Sequence, residues 1–239
     1  MSTELVSIEA VTKSYGKLVA VGGVSLSVNA GEVYALVGAN GAGKSTLIRI
    51  ITGITAADAG KIFVCGEDLA RRAPLVKRRL GYLPEELFLY NRLTGREYLQ
   101  LVAGLKDAAT DSITAEIEFF ELSAVADKWV GSYSLGMRKK LGLAAAFTGA
   151  PDVLVLDEPL NGLDVEMMRK LRLRIEDERA KGRAVIVSSH VMSFVERISN
   201  RVGIMRGGLL VAEGTPPELR ERAALHDQPF EDVFFHLAR

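Results

Sequence analysis

Gly38-Ala39-Asn40-Gly41-Ala42-Gly43-Lys44-Ser45-Thr46 is a complete phosphate-binding loop, and it follows an apolar run, Val33 to Val37, that reads as a buried strand. A loop of this pattern works only between a strand and a helix, and Leu47-Ile48-Arg49-Ile50-Ile51 supplies the helix-like continuation. Its glycines let successive backbone N–H groups turn inward around the α- and β-phosphates, and the next helix adds the positive end of its dipole. Lys44 is spaced to reach the β- and γ-phosphates, and the Ser45 hydroxyl to reach Mg²⁺. The chain must therefore contain an α/β unit, and the pattern implies a nucleoside triphosphate as ligand.

The stretch 4–36 holds short β-type runs, Leu5 to Val11, Leu18 to Val21 and Val24 to Val28, separated by Tyr15-Gly16, Gly22-Gly23 and Asn29-Ala30-Gly31. These predict a small antiparallel sheet leading into the loop strand, with Ile62 to Cys65 as another strand. Beyond Pro84 the pattern turns helical: Thr94-Gly95-Arg96-Glu97 matches a capping box, and Ile113, Ile117 and Phe120 recur at helical spacing. Residues 84–150 thus read as a helical insertion. Strands at Val153 to Leu156 and Ala184 to Val187, with a helix between Asp164 and Ala180, restore a βα alternation and imply a largely parallel sheet. Phe230, Val233, Phe234 and Leu237 follow the spacing of a helix docked by one apolar face.

With 30 basic and 30 acidic side chains, no global field favours nucleic acid or an anionic membrane, so no nucleic-acid partner is expected. The densest basic group, Arg71, Arg72, Lys77, Arg78 and Arg79, reads as a solvated helix face. The single cysteine, Cys65, cannot form an intrachain disulfide, which suits the cytosol. Met1-Ser2-Thr3-Glu4 lacks a basic-then-apolar pattern, so no secretory signal is expected, and no apolar run approaches the ~20 residues of a membrane span. Association with a membrane is expected only through a partner.

Val153-Leu154-Val155-Leu156-Asp157-Glu158-Pro159 is an apolar strand that ends in adjacent carboxylates, at the sheet edge where a phosphate loop opens. Asp157 is suited to serve Mg²⁺ through water, and Glu158 to polarise an attacking water as general base.

With these motifs in order, the whole chain resembles the nucleotide-binding subunit of an ATP-binding cassette (ABC) transporter. Tyr133-Ser134-Leu135-Gly136-Met137 occupies that family's signature position, Leu160-Asn161-Gly162-Leu163-Asp164 the loop lining its dimer interface, and Ser188-Ser189-His190 its switch histidine. Tyr15 stands where the family stacks an aromatic on adenine. The resemblance implies a P-loop NTPase (RecA-like) core with an N-terminal antiparallel β subdomain and an inserted α-helical subdomain. It divides the single domain 1–239 into 1–83 with 151–239 as β subdomain plus core, and 84–150 as the helical signature subdomain. It also implies a homodimer or heterodimer of ATPase subunits in which Ser134 and Gly136 face the γ-phosphate held by the opposite subunit, with Asp164 at the interface. His190 would orient the γ-phosphate and water. ATP and Mg²⁺ are the implied cofactors, with Ser45, Asp157 and Glu85 around the metal.

The sequence departs from the family's commonest pattern in places. Gly81-Tyr82-Leu83-Pro84-Glu85 puts a carboxylate where most members carry glutamine, and Leu135 and Met137 replace the usual glycine and glutamine of the signature. Ala39 replaces a frequent proline without loss of phosphate-facing N–H groups. The first two, with Glu213-Gly214-Thr215 and the ending Phe230-Glu231-Asp232-Val233-Phe234, resemble the bacterial branch that pairs with separate export-type permeases, placing the chain on the cytoplasmic face of the cell membrane. Phe88, Tyr90 and Leu93 fit either a groove for a permease helix or helix core. A soluble cassette ATPase acting on DNA or ribosomes is the alternative, though such relatives carry coiled-coil insertions or two cassettes in one chain. A P-loop kinase would leave Ser134, Glu158 and His190 without a shared purpose.

Overall fold

A computed structural model describes residues 3–238; Met1 and Ser2, part of the start read for a secretory signal, and Arg239 lie outside the described residues. The chain runs β1 (Glu4–Tyr15), β2 (Leu18–Asn29), β3 (Val33–Gly38), α1 (Lys44–Ile51), β4 (Ala59–Val64), β5 (Glu67–Asp68), α2 (Leu69–Arg79), β6 (Leu80–Leu83), α3 (Gly95–Leu105), α4 (Asp111–Phe119) and α5 (Leu135–Phe147). It continues with β7 (Val153–Asp157), α6 (Val165–Ala180), β8 (Ala184–Ser188), α7 (Met192–Ile198), β9 (Arg201–Arg206), β10 (Leu209–Gly214), α8 (Pro216–Ala223) and α9 (Phe230–Leu237).

Two sheets form, in the orders β2-β1-β4-β5 and β10-β9-β3-β8-β7-β6. The first is antiparallel. In the second, β3, β6, β7, β8 and β9 run parallel, and only β10 turns back, on β9. The strand residues of β3, β7 and β8 are all buried, as a parallel sheet covered on both faces requires. Alternation then sorts them. Tyr34, Leu36, Val153, Val155 and Ile186 face the antiparallel sheet and α1, while Val33, Leu154, Leu156, Val185 and Val187 face the helices on the other side. Ala35, Val37, Val202 and Ile204 close a third cluster with α7, α8 and α9, in which Phe230, Val233 and Phe234 are the buried stripe expected of the last helix.

The expected capping box is present: Thr94 Oγ1 accepts the Glu97 N–H at 3.2 Å, and Glu97 Oε2 accepts the Thr94 N–H at 2.8 Å. The short N-terminal runs merge into one long hairpin instead of separate strands. Gly22-Gly23 lies within β2, where the register with β1 shifts, so the pair marks a bulged stretch and not a break. The basic group forms α2, kinked at Arg72 ahead of Pro74. Four of its five charges are matched: Arg71 pairs with Asp68 at 3.4 Å, Arg72 with Glu67 at 3.4 Å, Arg79 with Asp152 at 2.7 Å, and Arg78 with Asp107.

The chain between β6 and β7 carries α3, α4 and α5, whose Leu99, Ile113, Ile117, Phe120, Leu141 and Phe147 share one core with the sheet. Arg174 ties this helical part to α6. It bonds Glu116 of α4 at 2.7 Å and Glu178 at 2.8 Å, and its guanidinium stacks over the rings of Phe119 and Phe147. No helix among the described residues is long and apolar enough to cross a membrane.

Candidate active site

The phosphate loop connects the end of β3 to α1. Gly43, the N-cap of α1, has φ +104°, and a Cβ there would stand 2.2 Å from the Ala20 carbonyl oxygen; at Gly38 a Cβ would meet the Met205 carbonyl oxygen at 2.5 Å. Only glycine lets the loop pass so close to β2 and β9. Helices α3, α5, α6 and α8 are capped by Thr94, Ser134, Asp164 and Thr215, but no side chain caps α1, and its first turn carries no acid. The N–H groups of that first turn, like those of α4, α7 and α9, have no side-chain cap, and here they open at the end of a glycine-rich loop, which suits an anion.

A cleft of about 390 Å³ opens over this turn, lined by Tyr15, Leu18, Ala20, Asn40, Gly41, Ala42, Gly43, Lys44, Ser45, Thr46, Glu85, Asp157 and Glu158. The nucleotide and metal residues anticipated from β1, the loop, the segment after β6 and the end of β7 therefore meet at one place. A larger cavity of about 450 Å³ between α1, β4 and α2 holds only Lys61 and Asp68 as charged residues and none of these groups. Inside the cleft Lys44 donates to the carbonyls of Gly38 at 2.7 Å and Ala39 at 3.2 Å. Burial lowers its pKa, against the fields of Glu158, Asp157 and Glu85. Tyr15 is half exposed at the mouth, with the Lys13 ammonium 5.7 Å from its ring centre.

At the end of β7, Ser188 organises the acids. Its hydroxyl donates to Asp157 Oδ1 at 2.5 Å and accepts the Glu158 N–H at 3.0 Å. Glu158 has φ +47°, and its Oε2 lies 2.9 Å from Nδ1 of His190, whose ring is largely exposed. Asp157 stays at the cleft floor, close enough to Tyr82 that burial and its charge together push the Tyr82 hydroxyl up to about 12. Among the described residues no three acidic, histidine or cysteine side chains are placed to hold a metal by themselves, so the set fits Mg²⁺ held together with a triphosphate: the Ser45 hydroxyl and Asp157 line the cleft beside Lys44, and the metal would offset the carboxylates against the phosphates.

Ser134, Gly136 and Asp164 are not in this cleft. Ser134 is the N-cap of α5, accepting the Met137 N–H at 3.3 Å, and Leu135 beside it is 78% exposed. Asp164 caps α6 through the Met167 N–H at 2.8 Å. A Cβ on Gly136 would lie 3.3 Å from the Gly162 carbonyl oxygen, so the two helix starts are adjacent.

Residues 21–161 match the family model described as ABC transporter. The chain is 37% identical over 225 residues to the Nod factor export ATP-binding protein I of Burkholderia orbicola, covering 92% of this chain and 74% of that one. The chain belongs to the ABC transporter ATP-binding family. It is also 34% identical to the lantibiotic transport ATP-binding protein SrtF of Streptococcus pyogenes, across 87% of this chain and 90% of that protein. Among solved structures, an ATP-binding subunit of an ABC transporter superposes with a TM-score of 0.94 at 28% identity, over 98% of this chain and all of that one. A dimeric cassette in a post-hydrolysis state with ADP and Pi shares the fold, with a TM-score of 0.81 at 21% identity over 88% of this chain and 98% of that one. The P-loop NTPase fold is thereby established, and the cassette is an ATPase.

Phe88 and Tyr90 precede α3 and are 87% and 64% exposed, so they are not helix core; Leu89 between them takes the buried place. Two polar residues of this cassette's site were not singled out from sequence. Ser188 lies inside the histidine motif, and Lys139, whose Nζ donates to the Glu158 carbonyl at 2.9 Å, carries no sequence signal of its own.

Proposed function

We propose that this ATPase powers a separate transmembrane permease, for export, by closing as a dimer around two ATP molecules. The observation that carries the reading is the division of its anion-binding parts. Lys44, Ser45, Asp157 and Glu158 share one cleft, whereas the capped, solvent-facing start of α5 at Ser134 and Gly136 lies outside it. Ser134 takes up only the Met137 N–H, so the N–H groups of Leu135 and Gly136 and the positive dipole end are left for a γ-phosphate, and a second cassette would bring one. Pairing with itself and pairing with a different cassette both satisfy that geometry.

Within each cleft Tyr15 would stack on the base, residues 38–46 would hold the phosphates, and Ser45, Glu85 and Asp157 would hold Mg²⁺. The metal, when bound, draws off negative charge from the β- and γ-phosphate oxygens. Glu158 takes the proton of the attacking water, and His190, oriented by its contact with Glu158, hydrogen-bonds the γ-phosphate. Asp164 lines the dimer interface. Residues 84–150 would act as a helical subdomain that turns relative to the core 1–83 and 151–239, and exposed Phe88 and Tyr90 would receive the permease on the cytoplasmic face of the membrane.

Affinity purification of the chain from detergent-solubilised membranes of its source, in Mg-ATP, tests the reading. Recovery of a stoichiometric multi-span membrane protein is the expected result. Recovery only in the soluble fraction with nucleic acid or ribosomal proteins would sink it in favour of a soluble cassette.

A further inference from the structure

The left-handed backbone at Glu158 is unfavourable for any residue with a Cβ, so something must hold it. It is held from both sides. The Glu158 N–H is fixed by the hydroxyl and carbonyl of Ser188 at 3.0 and 3.2 Å, and its carbonyl oxygen accepts Lys139 Nζ at 2.9 Å and, more weakly, the Asn161 N–H at 3.4 Å. Lys139 sits on α5, a turn beyond Ser134 and Gly136, and is only 4% exposed. A lysine this buried is rare unless its ammonium has a specific partner. Among the described residues that ammonium makes no ion pair, and its hydrogen bond goes to the Glu158 main chain.

We propose that Lys139 is a positioning residue: through the bond from its Nζ to the Glu158 carbonyl oxygen, it fixes the general base against α5. The proposal rests on Glu158 being that base and on the start of α5 meeting the second protomer's ATP. One rigid helix then touches both sites of the dimer. Its first turn meets the γ-phosphate held by the other protomer, and Lys139 props the base of its own. A shift of α5 on engaging the other nucleotide moves Glu158 with it, so base placement and dimer closure become one event. Burial lowers the Lys139 pKa, and the fields of Asp157, Glu158 and Glu85 oppose that shift in the same place. The cation therefore also offsets the extra carboxylate, Glu85, that this chain carries in its site.

The test uses the full chain and compares ATP turnover with Mg-ATP affinity in Lys139→Met, Lys139→Arg and Glu158→Gln. Lys139→Met should lower kcat about tenfold or more while leaving the Kd for Mg-ATP within about twofold, because the bond acts on the base and not on the phosphates. Lys139→Arg, which keeps a cationic donor, should regain much of the lost kcat. Wild-type kcat in Lys139→Met, alongside an inactive Glu158→Gln, overturns the proposal and leaves the base intact. Equal losses in kcat and affinity, unrelieved by arginine, overturn it as general disruption. Normal hydrolysis by Glu158→Gln instead removes the base reading itself. If Lys139→Met does not fold, Lys139→Gln, whose amide is too short to reach the Glu158 carbonyl, decides by the same split, and undiminished kcat there sinks the idea.

Discussion

Nδ1 of His190 lies 2.9 Å from Oε2 of Glu158, a contact that spans from the end of β8 to the end of β7. The carboxylate is nearly buried and the imidazole is largely exposed, so the histidine is the part of this pair free to face a γ-phosphate. His190→Ala should lower kcat by about tenfold to a hundredfold with little change in ATP affinity, the pattern of an interaction made mainly in the transition state. A proportional rise in Kd would assign the histidine to ground-state binding instead.

For Glu158→Gln, removal of the base should lower turnover by about 10²- to 10⁴-fold. The amide keeps the size of the side chain, and the bonds from Ser188 and Lys139 go to the main chain, so the loop geometry should persist. ATP binding should then survive and a nucleotide-held dimer accumulate on gel filtration in Mg-ATP. A variant that binds ATP and stays monomeric would count against closure of the isolated cassette.

What could be read from the sequence was local. The phosphate loop, the Thr94 capping box, the helix from Asp164 to Ala180 and the apolar stripe of Phe230, Val233 and Phe234 each carry their signal within a few residues, and each appears where expected. Strand β6 was not legible. Its four residues include Gly81 and follow directly on a basic helix, and only pairing with β7 makes them a strand. Gly22-Gly23 misled in the opposite direction, because glycines that end a strand and glycines absorbed as a bulge look alike without the partner strand. Ser188 and Lys139 act on residues 30 and 19 positions away, and no periodicity reports such a contact.

Ser188→Ala removes the hydroxyl that both donates to the buried Asp157 carboxylate and accepts the Glu158 N–H. The Glu158 N–H keeps the Ser188 carbonyl at 3.2 Å, so the loss falls mainly on the buried Asp157 carboxylate and should cost about 1–3 kcal/mol of stability. It should also lower kcat, since the same hydroxyl fixes the base's main chain. Denaturant melts with steady-state turnover check both, and an unchanged midpoint would show that water replaces the hydroxyl at no cost.

Lys106, the C-cap of α3, reaches the end of α5 and donates to the Thr148 carbonyl at 2.8 Å, with the Ala146 carbonyl at 3.5 Å. Burial lowers its pKa from 10.5 to about 8, against the field of Glu116. Below about 8 the lysine is protonated whether the chain is folded or not, and the folded state bears the full penalty of the buried charge. Between about 8 and 10.5 the unfolded chain still holds the proton that the folded chain has released, so stability gains with rising pH. Lys106→Met removes this titration and nothing else that ionises. Relative to the variant, the wild type should therefore gain on the order of 2 kcal/mol between pH 7 and pH 10 in paired urea melts. Common effects of other lysines and tyrosines cancel in the difference. A gap between the two proteins that stays constant, or that widens in favour of the variant as pH rises, would mean that the ammonium is better solvated at the end of α5 than its surroundings indicate.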